Sequence, residues 1–158
     1  MKLRGSSIVL LVAAAAVMPP AYGAPASEFC SALRSFVESV QPDEAREFTF
    51  RTSWGTNFKG TDEPAIAAKR CDHQGYAPGE SVCASLMEHG STEFSGVTVK
   101  EAISCLSRGT KFDPGLRLSE GEFSFSYGSE DRGALIDITL HEDPAVGGMV
   151  FRLAAEGY

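Results

Sequence analysis

Four cysteines, at positions 30, 71, 83 and 105, follow an N-terminal segment that reads as an export signal, and this pairing constrains the chain more than any other feature. Lys2 and Arg4 supply a short positive region, Ile8 to Val17 is an unbroken apolar run, and Ala21-Tyr22-Gly23 places small residues where a signal peptidase reads them. Cleavage is expected after Gly23, leaving residues 24–158 as one soluble domain of 135 residues in a periplasmic or secreted setting. The apolar run is about half the length a membrane helix needs, so no membrane insertion is expected. Lipidation is disfavoured because it needs a small residue directly before the first cysteine, and Cys30 follows Ser27-Glu28-Phe29.

In an oxidising compartment such cysteines are read first as two disulfides. Three connectivities are open. Cys83 and Cys105 are each eleven residues from Phe94, the midpoint of an expected helix–turn–helix segment, so an antiparallel helix pair would bring them level. That favours Cys83–Cys105 with Cys30–Cys71. The second choice is Cys71–Cys83 with Cys30–Cys105.

Periodicity supplies the elements. Phe29, Leu33, Phe36, Val37 and Val40 form one helical stripe, with Ser27 suited to cap it and Pro42 to stop it. In EFTFRTSWG the period falls to two: Phe48, Phe50, Thr52 and Trp54 alternate with polar residues, which predicts a half-buried strand with Trp54 in the core. A weaker strand is expected over 65–73. Helical spacing returns from Pro78 to Gly90, and Thr98-Val99-Lys100-Glu101 matches a capping box ahead of a second helix ending at Gly109. Phe123, Phe125 and Tyr127, then Ala134, Ile136, Ile138 and Leu140, then Met149, Phe151, Leu153 and Ala155 alternate as three consecutive strands separated by turn residues. The expected class is α+β: an antiparallel sheet of about four to five strands ending in a β-meander, with the N-terminal helix and a helical pair on one face.

Chemistry is sparse. Cys71, His73, Cys83 and His89 hold zinc-compatible atoms, but their spacing matches no compact finger, so no metal is expected. Cys83 and His89 lie about 240° apart on a helix and cannot form a local nucleophile–base pair, whereas Cys71 and His73 could share a strand face only if Cys71 were free. No nucleophile elbow, phosphate loop, dinucleotide fingerprint, zinc-protease helix or calcium loop occurs. His141-Glu142-Asp143 before Pro144 reads as a polar turn. No catalytic residue and no cofactor is therefore assigned.

Loss of Lys2 and Arg4 would take the formal charge from −7 to −9, which disfavours nucleic acid and anionic membranes as partners. What remains is recognition of another exported protein. The loop 54–64 offers Trp54, Asn57, Phe58, Asp62 and Glu63, and the hairpin tip offers Glu130 and Asp131 as a rim. Phe58, four residues beyond the strand, is expected to be the exposed anchor. The leading expectation is a non-catalytic binding domain of inhibitor or immunity type. A small exported hydrolase using carboxylate or histidine acid–base chemistry, and a cell-envelope assembly component, are the alternatives.

Overall fold

A computed structural model of the protein describes residues 27–158, so the expected signal segment and its cleavage site lie outside the described residues. The stripe from Phe29 to Val37 forms α1 (Glu28–Ser39), and Ser27 caps it by accepting a hydrogen bond from the Cys30 amide at 3.2 Å. Two strands follow, β1 (Ala45–Trp54) and β2 (Ala67–Asp72), then α2 (Ala77–His89) and α3 (Ser95–Leu106). The chain closes with β3 (Gly121–Gly128), β4 (Gly133–Asp143) and β5 (Gly148–Gly157). All five strands join one antiparallel sheet in the order β2-β1-β5-β4-β3, giving the α+β class that the alternation implied.

Register explains which face is dry. Phe50 sits between Cys71 and Phe151, Phe48 opposite Leu153, and Leu153 opposite Ile138, which in turn faces Phe123. These side chains point to the helices, and Phe36 of α1 meets Phe48 edge-on at 5.5 Å, while Phe48 meets Phe151 in the same manner. The opposite face carries Glu47, Thr49, Arg152, Asp137 and Ser124. There Arg152 Nε donates to Glu47 Oε2 at 2.8 Å and Ser124 bonds Asp137.

The helical layer corrects two expectations. Ser27 meets Glu101, Cys30 is bonded to Cys105, and Arg34 Nε donates to the Cys105 carbonyl, so α1 and α3 run side by side in the same direction. Phe36 packs on Tyr76 and lies near Gly79, and Ser39 bonds the Tyr76 hydroxyl, so α2 runs against α1. Helices α2 and α3 are thus antiparallel, as expected, but α1 is inserted between them. Cys83 therefore cannot reach Cys105.

The disulfides are Cys30–Cys105 and Cys71–Cys83, each with Cα atoms 5.4 Å apart, and the favoured pairing of Cys30 with Cys71 and Cys83 with Cys105 is overturned. Cys71 follows from the sheet: it lies beside Phe50 on the helix-facing side, directly before the turn that returns the chain as α2. No cysteine is free among the described residues. No helix there is long and apolar enough to cross a membrane.

The capping box is also displaced. Helix α3 begins at Ser95, so Thr98 lies inside its first turns, and Glu101 accepts the Ser27 hydroxyl at 2.8 Å.

Candidate functional site

The two loops expected to share a binding surface stand at opposite ends of the sheet. The 55–66 loop leaves the end of β1, and Lys59 ties it to the β4–β5 turn through its amide to Val146 O at 2.9 Å and its Nζ to Pro144 O at 2.6 Å. Glu130 and Asp131, both exposed, tip the β3–β4 hairpin at the start of β4. The length of β4 separates the two, roughly 30 Å at the usual rise of a strand. These acids are not a rim of the Trp54 surface.

Within the first loop, Trp54 and Phe58 exchange the environments expected for them. Phe58 is buried, 6% exposed, with the Arg70 guanidinium over its ring at 5.3 Å. Arg70 pairs with Arg51 and so lies on the helix-free face, and Phe58 is not part of the main core cluster. Asn57 braces the loop, donating to Glu63 O at 2.7 Å and accepting from the Phe58 amide, whereas Asp62 and Glu63 are exposed.

Trp54 is 54% exposed. The alternation predicts its parity correctly but not its depth. The end of α2 and the start of α3 cover Phe50 and Thr52: Gly90 lies against the Phe50 ring, and the Thr52 and Ser95 hydroxyls bond at 2.6 Å in a buried setting. Lys69, the cross-strand partner of Thr52, donates to the Met87 carbonyl at the end of α2. Trp54 is one inward-facing position further along, where the helical layer has ended.

Other apolar side chains collect around the same boundary. Phe94 is 56% exposed beside Ser95, and Val97 and Leu116 are also exposed. Between them lies a cavity of about 540 Å³, lined by Phe94, Val97, Leu116, Leu118 and Met149. Met149 is the β5 partner of Thr52, which ties this cavity to the Trp54 end of the sheet.

The 107–120 segment is seated against α3 by two local features. Lys100 Nζ donates to Leu116 O at 2.7 Å, and Gly96 allows an approach that a side chain would block, since a Cβ there would stand 1.8 Å from Leu118 O. Sequence reading missed Phe94, Val97 and Leu116. Val97 carried a signal, because it lies off the apolar stripe of Val99, Ala102, Ile103 and Leu106.

The histidines are dispersed. His73 Nδ1 lies 3.0 Å from the Tyr76 carbonyl, His89 is exposed beside Glu88 at the end of α2, and His141 is exposed on β4. Cys71 and Cys83 are bonded to each other, which removes both sulfurs from the zinc set and from thiolate chemistry. Comparison of the chain with family models, with curated proteins and with solved structures gave no match.

Proposed function

We propose that the protein is an exported, non-catalytic binding domain that docks another exported protein through the apolar end formed by Trp54, Phe94, Val97 and Leu116. The observation that carries this reading is the exposure of Trp54 at a strand position whose side chain points toward the helical layer but extends past it. Exposed apolar groups gathered at one end, beside a cavity, are the usual mark of a contact surface, and tryptophan is enriched among energetic anchors. The buried Thr52–Ser95 bond and the bond from Lys100 to Leu116 O hold this end in a fixed shape, which limits the ordering cost of association. Bonded cysteines and separated histidines also support a role without nucleophilic catalysis. Inhibition or immunity toward the bound protein is the finer form of the proposal.

The test is affinity capture from the exported fraction with the native protein and with a Trp54→Ala/Phe94→Ala variant in parallel. One stoichiometric protein should be recovered by the native chain and bound at least about tenfold more weakly by the variant, with melting little changed. Recovery of no partner, or of one partner held equally by both, would overturn the proposal.

A further inference from the structure

We infer that the cleft at the opposite end, between the C-terminal parts of α1 and α3 and the β3–β4 hairpin, binds a small organic anion: a carboxylate or phosphate monoester carried on an apolar body. The cleft has a volume of about 560 Å³, within the range of small-molecule sites. Its lining includes Val37 and Leu106, both buried, together with Glu38, Arg108, Tyr127 and Arg132. With Val37 and Leu106 almost wholly covered, the half-buried Tyr127 ring is the apolar surface among these polar groups, the arrangement that such a ligand requires.

Two guanidinium groups, of Arg108 and Arg132, line this cleft, and that of Arg34 stands beside it through its bond to Cys105 O, on a protein of formal charge −7. Arg132 lines the cleft and is anchored by Nη2 to Val40 O at 2.8 Å, at the end of α1. Arg34 is anchored by Nε to Cys105 O at 3.2 Å, which leaves its terminal nitrogens available. Arg108 lines the cleft three residues beyond Cys105. Arg34 and Arg108 both lie near enough to Tyr127 to act on its hydroxyl electrostatically.

Among the described residues none of these three arginines stands within 4.0 Å of a carboxylate, whereas Arg46 and Arg152 each have an acidic partner. The anchoring bonds to helix-end carbonyls explain where Arg34 and Arg132 stand, and neither neutralises them. Arg108 has no such structural task. The Cys30–Cys105 bond adds registration: Arg34 is one turn beyond Cys30 and Arg108 three residues beyond Cys105, so the link that joins α1 to α3 also fixes their arginines around one space.

Glu38 is the one acid in the lining, and the Tyr127 hydroxyl donates to its Oε1 at 2.6 Å. That bond occupies one carboxylate oxygen and leaves the guanidinium groups in excess. Planar N–H forks match carboxylate and phosphate oxygens, which selects the ligand class. The half-buried Tyr127 ring in this lining gives an apolar body a face to pack on, which a bare inorganic ion would leave unused, so an apolar body belongs to the ligand.

The experiment is a titration of the whole protein with benzoate, phenyl phosphate and inorganic phosphate in separate arms, followed by amide and arginine Nε–H chemical shifts. Benzoate or phenyl phosphate should give saturable shifts at Arg108 and Tyr127 below about 10 mM, with inorganic phosphate clearly weaker. Which of the first two binds more tightly identifies the anionic group. Arg108→Ala, which removes an exposed side chain, should weaken binding at least about tenfold with melting unchanged. Arg108→Lys should restore only part of it, because a point charge cannot replace the fork. Absence of saturable shifts in all arms, inorganic phosphate binding as tightly as phenyl phosphate, or unchanged affinity in Arg108→Ala would each overturn the inference. None of these outcomes depends on the protein partner proposed for the other end.

Discussion

Replacing Cys30 and Cys105 together by alanine is expected to destabilise the protein by about 1.6 kcal/mol more than replacing Cys71 and Cys83. The two bonds differ chiefly in the loops they close, with sequence separations of 75 and 12. Restriction of the unfolded chain grows with the logarithm of loop length, which gives about 4.5 kcal/mol for the longer loop and about 2.8 kcal/mol for the shorter. Native packing largely cancels in the difference. Each bond joins a buried cysteine, Cys105 or Cys83, to a half-buried one, Cys30 or Cys71, and the Cα separations are equal. Urea unfolding of the two double variants at one pH and temperature, followed by far-ultraviolet circular dichroism, measures the difference directly. Both variants should also show a larger denaturant slope, the long-loop variant more so, since each unfolded chain exposes more surface. Equal losses, or a greater loss for the Cys71/Cys83 variant, would refute the loop-entropy reasoning.

Phe58→Ala should cost roughly 3 kcal/mol of stability and Trp54→Ala no more than about half of that, the reverse of their order by strand alternation; urea midpoints decide it. Trp54 is the chain's single tryptophan, so its fluorescence should also be quenched efficiently by acrylamide in the native state. Burial, followed by the hydrogen bond and charge of Glu38, pushes the Tyr127 hydroxyl up from its ordinary value of 10.0 to about 12. Its folded value lies above its unfolded one, so the contribution to stability is complete below about pH 10 and is lost as pH rises toward about 12. Phenolate absorbance should contain a step near pH 12 that disappears in Tyr127→Phe.

Local periodicity was enough to place most of the fold. The 3.6-residue stripe of Phe29, Leu33, Phe36 and Val37 became the buried face of α1, and the alternations of Phe48, Ile138 and Leu153 became neighbouring positions on the dry face of one sheet. What periodicity omits is the extent of a neighbouring layer. Trp54 has the parity of a core residue, yet its burial depended on where α2 and α3 stop, a distance set by packing between segments far apart in sequence. The disulfides failed for the same reason: Cys83 and Cys105 are symmetric about Phe94 along the chain, but α1 occupies the space between their helices. Phe58 was hidden by Arg70, a contact across a loop with no local pattern. The anion cleft was illegible because Arg108 and Arg132 line it from separate segments, with Arg34 beside them on a third, and each alone resembles an ordinary surface arginine.

The central place of α1 among the helices also orders events as the chain emerges, N-terminal end first. Its two flanking neighbours both come later, so the first helix is without its lateral partners until residues 77–106 have appeared. Cys30 meets Cys71 as the first available thiol, then Cys83, and only last its native partner Cys105. The hairpin-like return of β2 into α2 lets Cys71 and Cys83 find each other across 12 residues, which withdraws both competitors early. Slow closure of that short loop would instead leave a cross-linked precursor with Cys30 trapped on Cys71, and recovery would then depend on thiol exchange rather than on the speed of helix or strand formation.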